Sequence, residues 1–151
     1  MLTDSEKKWA AFTHLSALSQ YCLPLGNFIL PIVIWSSKKE QSDYVNQNGK
    51  QSLNFQLSIL LYSLILGFIF IPIFISIFLD YYTFNELIHY RHFIVKDINI
   101  GENGSLISIG MIAVLILICI KITEFFLIIQ ASVKTANGEQ YKYPLTIKFL
   151  K

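Results

Sequence analysis

The chain has 151 residues, of which 54% are apolar and only 15% are charged, and its formal net charge is +2. Charged residues make up about 25% of typical soluble domains, so this composition argues against a soluble protein. Three long windows contain no Asp, Glu, Lys or Arg: residues 9–37, 52–79 and 104–120. Because a helix needs about 20 residues to cross a bilayer, these windows predict an all-α integral membrane protein.

The first window is predicted to form a hairpin rather than one straight helix. Three helix-breaking residues lie at its centre: Pro24, Gly26 and Asn27. Proline removes a backbone donor, and the Gly-Asn pair permits the left-handed turn that ends a helix. The arms are predicted over residues 5–22 and 27–36. The apolar part of the window, residues 9–35, when folded back on itself gives two arms of about 18 Å each, so the hairpin is either re-entrant or made of two thin, tilted helices.

The rest of the single membrane domain alternates polar and apolar segments. In chain order these are a polar connector (37–52), a helix (53–79), a second connector (80–104), a last helix (105–136) and a tail (139–151). Residues 100–104 are typical of a turn. The tail alternates apolar with polar residues, which predicts an extended strip in the membrane interface. Its candidate docking residues are Tyr143, Pro144 and Lys148.

The distribution of basic residues favours a first window that returns to the side of the membrane on which it entered. With a return at residues 24–27, nine basic residues lie on one side and two on the other, with Lys121 uncounted inside a helix. A single crossing would divide them seven against four. Because cytoplasmic ends collect Lys and Arg, the sequence predicts a four-segment helical bundle with both termini in the cytoplasm.

Five polar residues within the apolar segments are candidates for a function or for interhelical hydrogen bonds: Lys121, Glu124, His14, Asn54 and Gln56. A spacing of three places Lys121 and Glu124 on one helix face. They form either a boundary ion pair whose lysine reaches the headgroups, or a buried pair that gates a polar path or pairs with the first hairpin. The other three residues are expected to bond neighbouring helices, and no metal site is predicted.

Three stretches resemble a known family of small bacterial membrane proteins. They are residues 9–18 (WAAFTHLSAL), 48–56 (NGKQSLNFQ) and 143–147 (YPLTI). The family is catalogued as domain of unknown function 4870 and is distantly similar to the Tic-type inner-envelope component of chloroplast protein import. The resemblance implies a scaffold or a component of a larger complex, without an established activity. The long connector 80–104 departs from the family pattern and is a candidate partner-docking element.

The sequence predicts a non-enzymatic accessory or scaffold subunit of a membrane complex. No phosphate-binding glycine loop, metalloprotease helix or nucleophile elbow is present, so no enzyme activity and no cofactor are expected. The alternative is a small transporter or channel subunit with a polar path at the broken hairpin and at Lys121 and Glu124. The expected contacts are the bilayer of the bacterial inner membrane and a membrane-protein partner or further copies of the chain, but no nucleic acid.

Overall fold

The computed structural model describes residues 2–81 and 100–150, and within them every regular element is a helix. The elements are α1 (Asp4–Leu15), a 3-10 helix (Ser16–Tyr21), α2 (Gly26–Lys38), α3 (Asp43–Tyr81) and α4 (Ile100–Ala136). Residues 139–150 follow α4 without helix or strand. The all-α prediction is confirmed for these residues, whereas residues 82–99 of the predicted docking connector lie outside the described part of the chain.

A capping box starts α1. The Thr3 hydroxyl accepts a hydrogen bond from the Glu6 amide at 3.3 Å, and the Glu6 carboxylate accepts one from the Thr3 amide at 2.8 Å. Each bond satisfies an amide that the helix itself leaves without a partner.

The bend between the two arms differs in detail from the prediction. The left-handed residue is Leu25, with φ of 58°, and Gly26 is already the first residue of α2. Gly26 is needed for a different reason, since a Cβ there would lie 2.7 Å from the backbone carbonyl carbon of Ser19. The glycine therefore lets the 3-10 helix and the start of α2 approach each other closely.

Two segments predicted as connectors are partly helical. Helix α3 begins at Asp43, ten residues before the predicted start at 53, and α4 begins at Ile100, within the stretch predicted to be a turn. The first error has a clear cause, because the early turns of α3 carry buried polar residues such as Asn48 and Ser52. The helices were predicted from apolar windows in the sequence. A polar stretch whose side chains face buried polar groups forms a helix without such a window.

The chain divides into two compact units, one of Met1–Leu61 with Ile120–Lys151 and one of Tyr62–Cys119. The first unit, called here the hairpin unit, contains the α1–α2 hairpin and the adjoining parts of α3, α4 and the tail. Its apolar core centres on Phe55, Ile128 and Tyr143. In the second unit the two long helices meet where the ring of Phe70 lies 3.4 Å from the position of a Cβ on Gly110.

Two helices are long and apolar enough to cross a membrane, over Asp43–Ile75 and Ser108–Ala136. Only 6% and 17% of their most apolar windows are buried, so they are not the core helices of a soluble protein. Helix α2 has 13 residues, about 20 Å, too short to cross a hydrocarbon core of about 30 Å unaided. Helix α1 has 12 residues, about 18 Å, and the 3-10 helix that continues it adds about 12 Å. Of the four predicted segments, two thus meet both the length and the hydropathy of a membrane span.

Candidate functional site

The hairpin unit exposes large apolar side chains on its outside and buries many polar groups beside its apolar core. Large apolar side chains on α1 and α2 are exposed, among them Phe12 at 53% and Val33 at 56%. Ten polar or charged residues are buried, and they lie on α1, the first turns of α3, the α2–α3 connector and α4. This arrangement is stable where the surrounding solvent is lipid and polar groups bond one another inside the protein.

His14 lies at the centre of this interior and is completely buried. Its Nε2 is 3.1 Å from Oδ1 of Asn48, and its Nδ1 is 2.9 Å from the hydroxyl of Tyr143. The amide nitrogen of Asn48 donates to the carbonyl of Tyr44, which leaves the amide oxygen facing the histidine. The ring therefore donates from Nε2 and accepts the Tyr143 proton at Nδ1.

The same network reaches α4 through two further residues. Thr135 donates its hydroxyl proton to Oδ1 of Asn48 at 3.3 Å, and the Tyr44 hydroxyl lies 2.9 Å from the carbonyls of both Thr135 and Glu139. Side chains from α1, α3, α4 and the tail thus form one hydrogen-bonded cluster. We call this set the His14 cluster: His14, Tyr44, Asn48, Thr135 and Tyr143.

Asn54 and Ser58 hold the tail against α3. Oδ1 of Asn54 accepts from the amides of Phe149 at 3.1 Å and Leu150 at 2.7 Å, while its Nδ2 donates to the Leu150 carbonyl at 3.0 Å. The Ser58 hydroxyl accepts from the Ile147 amide at 2.9 Å. A segment without helix or strand leaves most of its backbone groups without regular partners, and these side chains supply partners for three amides and one carbonyl.

The three candidate docking residues of the tail have different surroundings. Tyr143 is 6% exposed and stacks on Phe55 with ring centroids 4.0 Å apart, so it anchors the tail inside its own chain. Pro144 and Lys148 are exposed. Only these last two are accessible to another molecule.

Lys121 and Glu124 form an ion pair at 2.8 Å that joins α4 to the 3-10 helix. The Glu124 side chain is fully buried, whereas 48% of the Lys121 side chain is exposed. Gln20 completes the group, because its Nε2 donates to the second Glu124 oxygen at 2.9 Å and its Oε1 lies 3.4 Å from the lysine ammonium. The pair thus consists of a buried carboxylate that bonds the first hairpin through Gln20 and a lysine that reaches the surface.

Gln56 bonds the hairpin at its bend. Its Oε1 accepts from Nδ2 of Asn27 at 2.9 Å, which ties the first turn of α2 to α3. Every polar candidate of the sequence therefore faces another polar group in the hairpin unit. Within the described residues, no group of three His, Cys, Asp or Glu side chains could hold a metal ion.

Sequence reasoning missed Tyr44, Asn48, Thr135 and Gln20. A usable pattern was present, since Tyr44, Asn48, Ser52 and Gln56 recur at intervals of four and so form one polar stripe along a helix. The stripe was divided between a predicted connector and a predicted helix, which hid its period.

Fold and interior together define a helical membrane protein whose buried polar side chains bond the backbone and other side chains of the same chain. A family model matches residues 5–150, and the chain belongs to this family, MamF/MmsF, the magnetosome magnetite crystal formation protein family. Its members are membrane proteins of the magnetosome that take part in crystal formation. No curated protein and no solved structure matches the chain.

The family assignment corrects the resemblance read from the sequence. The matched family is neither the domain of unknown function 4870 nor the chloroplast import component. Motifs such as residues 48–56 consist of small and polar residues that pack helices together. Such residues are shared by membrane proteins with similar helix packing, so three short motifs were insufficient to separate one family from another.

Proposed function

We propose that this protein is a non-enzymatic structural component of the magnetosome membrane and contributes there to the formation of magnetite crystals. The family match over residues 5–150 is the observation that carries this proposal. The His14 cluster supports a structural role, because its histidine, tyrosines, asparagine and threonine bond one another or the backbone. Such a network positions helices and leaves no group free to act on a substrate.

The transporter alternative rests on Lys121 and Glu124 beside the broken hairpin. Both Glu124 oxygens are engaged, one by Lys121 and one by Gln20, which favours a structural joint over a permeation path. A path would need polar groups that can exchange partners with a passing ion or solute.

The test uses a magnetosome-forming bacterium from which its own members of this family have been deleted. We expect expression of this chain to shift the crystal-size distribution in electron micrographs toward that of the undeleted strain. The matched control is Gly67→Ala, at a position with no other atom within 4 Å of the added Cβ. Unchanged crystals, with the protein present in isolated magnetosome membranes, would contradict a role in crystal formation.

A double replacement, Lys121→Leu with Glu124→Leu, separates the structural role from transport. If the protein is structural, a double variant that still reaches the magnetosome membrane keeps its effect on crystal size. If the pair lines a transport path, the effect disappears although the protein level in that membrane is unchanged.

We also propose that both termini and the α2–α3 connector lie on the cytoplasmic side. Two observations support a shared side: the Lys38 ammonium at the end of α2 lies 5.1 Å from the Trp9 ring centroid on α1, and the Tyr44 hydroxyl near the start of α3 bonds the Glu139 carbonyl beyond α4. The excess of basic residues at these ends supports the cytoplasm as the shared side.

A further inference from the structure

A cavity of about 300 Å³ opens at the surface where α1 begins and α2 ends. Its walls carry two opposite charges, Glu6 and Lys38, with the hydroxyls of Ser5 and Ser42 and the ring of Trp9. Neither the His14 cluster nor the Lys121–Glu124 pair contributes to it. The cavity is thus a separate polar site within the hairpin unit.

The exterior beside this cavity changes from polar to apolar. On α1 the exposed residues are polar as far as Lys8, and Phe12 is then an exposed apolar residue. On α2 the exposed Val33 is followed by exposed serines at 36 and 37. Trp9 lies at the boundary, where tryptophan is enriched in membrane proteins. The cavity therefore lies at the depth of the lipid headgroups.

The two charges in the cavity differ in how they are already engaged. Glu6 accepts hydrogen bonds from Thr3 and Ser42, and these bonds lower its pKa to about 2, so the carboxylate is ionised at neutral pH. The Lys38 ammonium donates a hydrogen bond to the neutral side chain of Gln41 at 3.2 Å. Among the described residues, no carboxylate lies within 4.0 Å of this ammonium, the limit for an ion pair. A ligand that carries one anion and one cation complements both groups.

The aromatic wall narrows the choice of cation. A quaternary ammonium is usually held against open aromatic faces. Here the Trp9 ring is covered by the Lys38 ammonium, 5.1 Å from the ring centroid. A primary ammonium with three N–H donors instead fits a carboxylate acceptor such as Glu6.

We propose that this cavity binds the headgroup of an ethanolamine phospholipid, with the phosphate at Lys38 and the ammonium at Glu6. The lipid links the start of α1 to the end of α2 and adds to the contacts that close the hairpin. This binding is independent of the proposed role in crystal formation, and either one can fail without the other.

The experiment is native mass spectrometry of the full-length protein released from detergent in the presence of phosphatidylethanolamine, phosphatidylcholine or phosphatidylglycerol at equal concentrations. We expect the ethanolamine lipid to be retained at least threefold more than the other two. Glu6→Gln should reduce its retention to the level of the choline lipid. Lys38→Gln should lower retention of all three lipids severalfold.

The matched control is Lys39→Gln, because the Lys39 ammonium lies over Trp35 and is not part of the cavity wall. Lys38→Gln carries the test even if Glu6→Gln disturbs the capping box. Equal retention of the three lipids by the unaltered protein, or unchanged retention in Lys38→Gln, would overturn the proposal. Displacement of the lipid by millimolar glycerophosphoethanolamine would assign the site to a soluble phosphodiester and would also overturn it.

Discussion

At the scale of single residues, the hydrogen-bonding side chains of this protein act mainly as connections between helices. Interhelical hydrogen bonds in membranes contribute about 0.6 kcal/mol on average, so no single bond dominates. Two residues differ from this average case. Asn54 makes three hydrogen bonds to the tail backbone. Glu124 carries an ionisable carboxylate that is fully buried.

Replacing Asn54 by leucine should release the tail. The variant removes the Asn54 bonds to the Phe149 and Leu150 amides and to the Leu150 carbonyl, and we expect a loss of about 1–3 kcal/mol. Thermal unfolding in detergent measures the loss, and hydrogen exchange of residues 147–150 locates it. Gln51→Leu, three residues earlier on α3, is the control. Equal exchange of the tail in both variants would show that Asn54 does not hold it.

Replacing Lys121 by methionine should destabilise the protein more than replacing both members of the pair. The single change leaves the buried Glu124 carboxylate without its cation, which costs about 1–3 kcal/mol, less than for a fully buried pair because Lys121 is half exposed. Adding Glu124→Gln removes the charge and should recover part of the loss. A double-mutant cycle from unfolding in detergent measures the coupling. Additive losses would mean that the pair contributes nothing.

At the scale of elements, the hairpin depends on close approach between its arms. Gly26 permits this approach at the Ser19 backbone. Gly49 on α3 likewise lets α2 pack closely against α3, since a Cβ there would overlap the Trp35 ring. The hairpin is therefore held by small residues and by the bonds of Gln20 and Asn27 to the long helices.

Alanine at position 26 should separate the arms, whereas alanine at position 67 should not. We expect Gly26→Ala to cost about 1–3 kcal/mol, because the added carbon meets backbone rather than a flexible side-chain end. Gly67→Ala meets nothing within 4 Å and gains helix propensity, so its stability should be unchanged or higher. Thermal unfolding of the two variants in the same detergent compares them. Similar melting temperatures would contradict the close packing at the bend.

At the scale of the whole molecule, the proposed arrangement places both termini and the α2–α3 connector on one side of the membrane. Within the hairpin unit, the contact between Lys38 and the Trp9 ring brings the end of α2 to α1. The hydrogen bond from the Tyr44 hydroxyl to the Glu139 carbonyl brings the start of α3 to the end of α4. In the proposed arrangement the α2 arm, about 20 Å long, is too short to reach across a hydrocarbon core of about 30 Å, so the bend lies inside the membrane. Non-helical backbone at that depth needs protein around it, and Gln56 and Glu124 bond the two ends of the bend.

Cysteine labelling tests this arrangement in a background without Cys22 and Cys119. Single cysteines at the exposed positions Ser5, Gln41 and Asn137 should all react with an impermeant maleimide added to isolated intact magnetosomes, whose cytoplasmic face is outermost. Asn85→Cys, in the connector predicted on the opposite side, should react only after the magnetosome membrane is permeabilised. The native Cys22, retained alone, should resist the reagent in both conditions because it lies at the bend. Reaction of Ser5→Cys and Gln41→Cys from opposite sides would exclude the hairpin.

The sequence alone determined the class of protein, the break near residue 24 and the polar candidates. Each of these follows from local properties, such as a long stretch without charges or a proline beside a glycine. The partners of the polar residues were decided by tertiary structure. His14 bonds residues 34 and 129 positions away, and no local pattern indicates which distant side chain will face it. The early start of α3 and the inward docking of Tyr143 have the same reason: both depend on a polar interior that exists only after the helices pack together.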